Sequence, residues 1–243
     1  MTAADTQIED FPSTHRTWLV TQIESVAADT GIRSQEALAA LREHLFQRYA
    51  EPLYAYVRHS SIRRLGEPED LVHGYFVRML ADCSSLRRWP QSGRHFRKWL
   101  LSGLLFHVRG ITRDLGRSRE FSSLESIALH AAAEPTAEQA YEHAWSRQIL
   151  QTAYATAAGE MERAGRNQQW MIFRRHVLDG EPYAPLAKEY SVSLQHCADA
   201  TRDAVQQVRH ALRIVLIEEG VAERDATTEA DEIFRSVIGG PPR

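Results

Sequence analysis

Apolar residues in this chain recur at the three-to-four-residue spacing of helices, and no sustained two-residue alternation suggests a strand. Between 68 and 82, Leu71, Val72, Tyr75, Phe76, Met79 and Leu80 form one stripe along a helix, following the i, i+4 neighbour rule. Leu38, Leu41, Leu45, Tyr49 and Leu53 mark a longer helix over 35–59, with Ser34 as its N-cap and a kink expected at Pro52. Similar spacing predicts helices over 16–28, 94–113, 136–163, 168–178, 183–190, 194–218 and 227–238. Pro90 and Gly93 suggest a loop, and Asp179-Gly180-Glu181-Pro182 a break. The expected fold class is all-α. A length of 243 residues leaves room for one large or two small domains.

Charge is segregated along the chain. Residues 87–119 carry Arg87, Arg88, Arg94, Arg97, Lys98, Arg109, Arg113, Arg117 and Arg119 against the single acid Asp114, a local charge of +8 in a chain of net −3. A polyanion would be drawn to this segment and repelled by the rest. Trp89, Phe96, Trp99 and Phe106 lie in the same stretch. Cations neutralise phosphates and ring faces stack unpaired bases, so the pattern suits single-stranded or opened nucleic acid. Phe96, Trp99, Leu100, Leu104 and Val108 also fit a buried stripe, which leaves Trp89 as the stronger candidate for touching a base. The alternative for the arginines is an ordinary solvated face.

Downstream, residues 120–140 hold four Glu and no Lys or Arg, an acidic connector without a core of its own. Residues 183–210 then have helix-turn-helix arithmetic: a short helix, the turn Ser191-Val192-Ser193, and a longer helix from Leu194. Leu186, Ala187 and Val192 are placed to pack against Cys197, Ala200, Thr201 and Ala204. Gln195, His196 and Arg202 would face DNA, with Ser193 at the start of the helix, but Asp199 and Asp203 would face the same polyanion.

Three blocks in this order carry a family resemblance. They are Tyr49-Ala50-Glu51-Pro52-Leu53-Tyr54-Ala55-Tyr56-Val57-Arg58, then Glu67-Pro68-Glu69-Asp70-Leu71-Val72-His73-Gly74-Tyr75-Phe76-Val77-Arg78-Met79-Leu80, then Gly93-Arg94-His95-Phe96-Arg97-Lys98-Trp99-Leu100-Leu101, running on to Arg113. With the helix-turn-helix, they resemble the extracytoplasmic-function (ECF) sigma factors of bacterial RNA polymerase, in an ECF-like subgroup with short N- and C-terminal extensions. The resemblance implies two helical domains: a sigma region 2-like bundle at 34–119 and a region 4-like helix-turn-helix domain at 141–218. The linker would be 120–140 and the extensions 1–33 and 219–243. It further implies that core RNA polymerase and promoter DNA are the partners, and that the protein directs promoter recognition, DNA melting and transcription initiation. Glu69, Asp70, His73, Phe76 and Arg78 would contact the polymerase, and the basic segment and recognition helix the DNA. The sequence departs from the family in region 4, where basic residues are missing around Asp199 and Asp203, and in having His73-Gly74 in the docking block.

Two other functions stay open: a sigma-like interaction module whose region 4 binds a regulatory protein such as an anti-sigma factor, and a regulator that binds duplex DNA without polymerase. No glycine-rich phosphate loop, GxSxG or paired-carboxylate arrangement is evident, so no enzyme activity and no cofactor are expected. Cys83 and Cys197 lack metal-ligand or CxxC spacing, which points to a reducing, cytoplasmic setting without a metal. The polar start and the lack of a long apolar run predict no membrane insertion.

Overall fold

The computed structural model describes residues 15–28, 31–114 and 135–238. The described residues are helical and contain no strand. In chain order the helices are α1 (His15–Ala28), α2 (Ile32–His59), α3 (Pro68–Asp82), α4 (Ser84–Arg88), α5 (Phe96–Asp114), α6 (Ala137–Arg163), α7 (Asn167–Val177), α8 (Tyr183–Glu189), α9 (Leu194–Glu218) and α10 (Glu223–Ile238). Short 3-10 turns cover Ser61–Arg64 and Trp89–Ser92.

Several boundaries differ from expectation for local reasons. Gly31, not Ser34, precedes α2, and the Ser34 hydroxyl instead donates to the Val26 carbonyl at 3.3 Å, tying α2 to α1. Pro52 sits inside α2 without ending it, and its ring is buried. α3 starts at Pro68, whose missing N–H would have no helical partner at that position. The stretch expected as a loop around Pro90 begins instead with α4, entered through Cys83 in a left-handed conformation (φ 49°). α6 starts on a capping box in which the Thr136 hydroxyl accepts from the Gln139 N–H and the Gln139 side chain accepts from the Thr136 N–H.

One large apolar cluster of buried residues runs from Leu19 to Phe234. α6 packs along α2, and α9 packs along α6, so the 34–119 and 141–218 segments share this core among the described residues. Each buried Leu or Phe contributes about 1.5–3 kcal/mol, so this shared layer is a major part of the fold. It also contains a polar lock. Glu219, at the end of α9, is buried and accepts from Arg48 at 2.8 Å and from the Tyr49 hydroxyl at 2.7 Å, both on α2. Burial raises the Glu219 carboxyl pKa, while Arg48 and Tyr49 oppose the shift.

A smaller cluster of Ile172, Leu186, Ala187, Cys197 and Ala200 joins α7, α8 and α9, with Tyr183, Tyr190 and Val192 packed against it. Leu186, Ala187 and Val192 thus meet Cys197 and Ala200 as expected of the helix-turn-helix, with Ile172 closing the third side, whereas Ala204 belongs to the large cluster. Arg175 on α7 fixes the unit by bonding Glu181 at 2.7 and 2.8 Å and Glu189 at 2.7 Å.

Candidate nucleic-acid interface

α5 is two-faced. Phe96, Leu100, Leu104 and Val108, four residues apart, are all buried. The opposite side carries Lys98, Ser102, Phe106, Arg109 and Arg113, all exposed and in phase at spacings of three and four. Phe106 is 72% exposed in the middle of this row of cations. A large ring left in water between charged groups is a sequence signal that the helical phase alone could have located. Trp99 is half-buried and stacks on Phe96, with centroids 5.8 Å apart and planes 12° from parallel.

Most of the basic segment keeps its charge available. Arg87 and Arg88 on α4, Arg94 before α5, and Lys98, Arg109 and Arg113 on α5 are exposed. None of these six forms an ion pair among the described residues. Arg117 and Arg119 lie outside the described residues, as does 120–134 of the acidic connector.

Two expected contacts are corrected. Trp89 is only 3% exposed, donates its indole N–H to the Arg94 carbonyl at 3.0 Å and packs edge-on against Phe96. It anchors the chain entering α5 and offers no free face; burial of its ring outweighs its loop-like sequence context. Arg97 falls on the packed side of α5, where its side chain is 14% exposed and meets Glu142 at 3.6 Å and Glu229 at 3.4 Å. Its guanidinium lies 3.6 Å above the Trp145 ring. Burial, then Arg78, holds the His107 pKa below the ordinary value.

α3 presents Glu69, Asp70, His73 and Arg78 to solvent. Phe76 is corrected: it is fully buried, edge-on to Phe46 with centroids 5.0 Å apart, and cannot meet a partner. The apolar residue on this outer face is Val77, 54% exposed and in phase with Asp70 and His73. Glu69 is paired to Arg58 at 3.4 Å, and Arg58 also reaches Glu51 at 3.0 Å. α3 touches α5 on their packed sides, where Tyr75 lies over Gly103.

In the helix-turn-helix, Ser193 serves as the N-cap of α9, its hydroxyl accepting from the His196 N–H at 3.0 Å. Gln195 and Arg202 are exposed but both bond Asp199, at 3.0 and 2.8 Å. These contacts, Gln195 first, hold the Asp199 pKa below the usual carboxylate range. His196 and Asp203 are exposed. Thus Asp199 is partly neutralised, but the two candidate base readers next to it are held in local bonds.

Among the described residues no group of three or more His, Cys, Asp or Glu is arranged to hold a metal, and no helix is long and apolar enough to cross a membrane. Comparisons with known protein families, curated proteins and solved structures find no match to this chain.

Proposed function

We propose that the protein is a sigma factor of the extracytoplasmic-function type, which binds core RNA polymerase and directs promoter recognition, melting and transcription initiation. The observation that carries the proposal is the outer face of α5: cations that form no ion pair among the described residues, arranged around the solvent-exposed Phe106 ring. Phosphates of an opened strand would meet Lys98, Arg109 and Arg113, and an unstacked base would meet Phe106. The outer face of α3, with Asp70, His73, Val77 and Arg78, is the surface assigned to the polymerase. Residues 34–119 act as the region 2-like module, 141–218 as the region 4-like module and 120–140 as the acidic strap between them, flanked by the extensions 1–33 and 219–243. The site is cytoplasmic, since core polymerase and the genome are there.

The test is reconstitution: purified protein and core RNA polymerase, mixed with a pool of genomic fragments, should co-elute and give discrete start sites. Neither co-elution nor any start site would remove the proposal. The bonding of Gln195 and Arg202 to Asp199 favours a second function, in which α9 docks a regulatory protein and not the duplex. Under the sigma proposal, Gln195→Ala with His196→Ala in the full chain weakens duplex binding; under the second function it leaves duplex binding unchanged.

A further inference from the structure

Arg97 is the one member of the described basic segment whose charge is taken up inside the protein. Its partners come from two helices outside that segment: Glu142 and Trp145 on α6, and Glu229 on α10. The Tyr141 hydroxyl also donates to the Arg97 carbonyl at 2.8 Å, fixing the backbone at this point. Two carboxylates and an indole face offer a guanidinium what a nucleotide offers, anionic oxygens and an aromatic ring. The contacts to the carboxylates are long. At 3.4 and 3.6 Å they exceed the about 2.7–2.9 Å of a tight charge-assisted hydrogen bond, whereas Arg48 and Glu219 meet at 2.8 Å. Glu142 and Glu229 are also partly solvated, with side chains 44% and 29% exposed. Both line an open cavity of about 490 Å3 that also takes in Asp225 and Glu232, so the neighbourhood of the pair is acidic and reachable from solvent. Arg97 is therefore held by an exchangeable grip, and Lys98 beside it faces outward.

We infer that Glu142, Glu229 and the Trp145 ring form an acidic latch that competes with nucleic acid for Arg97, so that α6 and the C-terminal helix restrain the nucleic-acid face of the free chain. The latch rests on the nucleic-acid function proposed above. Opening it frees one more cation on α5, next to the outward-facing Lys98, for a phosphate to reach, without adding a residue to the protein. Because α10 supplies Glu229, anything that draws α10 away would strengthen the grip on DNA.

The test uses the full chain and a short labelled single-stranded oligonucleotide, read by fluorescence anisotropy across a salt series. Glu142→Gln with Glu229→Gln should bind about tenfold more tightly at low salt, the scale of one hydrogen bond to a charged group. The log–log salt slope should steepen by about 0.7, the value for one more neutralised phosphate on a single strand. Adding Arg97→Ala to that pair should abolish both gains. Asp225→Asn with Glu232→Gln changes the net charge equally in the same cavity without touching the Arg97 ion pairs, and should shift affinity by less than about twofold, as screened charges do. Equal gains from both pairs, or a gain that survives Arg97→Ala, would overturn the latch. If the Gln pair does not fold, Glu142→Gln and Glu229→Gln are measured singly, each with the same sign expected and no gain overturning the latch. Wild-type binding with no response to the Gln pair would remove the latch alone. No binding by wild type or any variant would remove the nucleic-acid function and the latch with it.

Discussion

Replacing Arg109 and Arg113 by alanine should change how binding responds to salt more than how well the protein folds. Six cations of the basic segment are exposed without an ion pair among the described residues: Arg87, Arg88, Arg94, Lys98, Arg109 and Arg113. If each neutralises one phosphate of a single strand, the slope of log affinity against log salt is about −4, from about −0.7 for each contact. On duplex the same set gives about −5. Arg109→Ala with Arg113→Ala removes two contacts and should bring the single-strand slope to about −3. The affinity loss is then largest at low salt and fades as salt rises. Both side chains point away from the buried stripe of α5, so the melting temperature should stay nearly constant. Phe106→Ala should behave differently, weakening binding by about 1–3 kcal/mol at every salt concentration with no change of slope, because stacking releases no counterions. Arg97→Ala in the otherwise wild-type chain should leave the slope alone and lower the melting temperature, since its guanidinium already belongs to Glu142, Glu229 and Trp145. An unchanged slope in the Arg109/Arg113 variant, or a slope that follows Arg97 instead, would refute the assignment of faces on α5.

Asp70→Ala should weaken co-elution with core polymerase and leave the salt slope on single-stranded DNA near its wild-type value, the reverse of the Arg109/Arg113 pair. Gly103→Ala should destabilise the fold: an added methyl would overlap the Tyr75 hydroxyl, and that ring is itself buried, so about 1–3 kcal/mol of overpacking outweighs the roughly 1 kcal/mol gained in helix propensity; an unchanged or raised melting temperature would contradict the close α3–α5 approach. Burial, then the Arg48 charge, lowers the His44 pKa to about 4. The folded state therefore binds fewer protons than the unfolded chain between about pH 6.5 and 4; stability is full above this window and falls by about 3 kcal/mol on acidification through it. Urea unfolding across that range should show the loss in the wild type and a flatter acid limb in His44→Leu; identical limbs would contradict it.

Helical periodicity was enough to locate most elements, because their buried stripes are long and regular: Leu71 through Leu80 on α3, and Phe96, Leu100, Leu104 and Val108 on α5. Ends were less legible. Ser34 has the chemistry of a cap, but its hydroxyl is taken by Val26 on a neighbouring helix, a tertiary contact with no local signature. The same limit explains Trp89 and Arg97. Each looks available in sequence, one in a Pro/Gly-flanked stretch and one in a run of cations, yet partners from distant positions decide otherwise: Phe96 and the Arg94 carbonyl for Trp89, and Glu142, Trp145 and Glu229 for Arg97. The sharing of one core by α2, α6 and α9 was likewise hidden, since the charge and composition change near residue 119 suggested separation. By contrast, Phe106 and Val77 could have been found from phase alone, because each lies opposite its helix's apolar stripe. Phe76, next to Val77, is one helical step away and lies in the core.

The most direct test of the nucleic-acid face is photo-crosslinking from a benzoylphenylalanine placed at position 106 of the full chain, in the presence of single-stranded DNA, with the same group at Ile214 on the outer side of α9 as a control. Salt-sensitive crosslinks from position 106, lost with Arg109→Ala and Arg113→Ala and weak or absent from position 214, are the predicted result. No crosslink from 106, or equal yields from both positions, would contradict it.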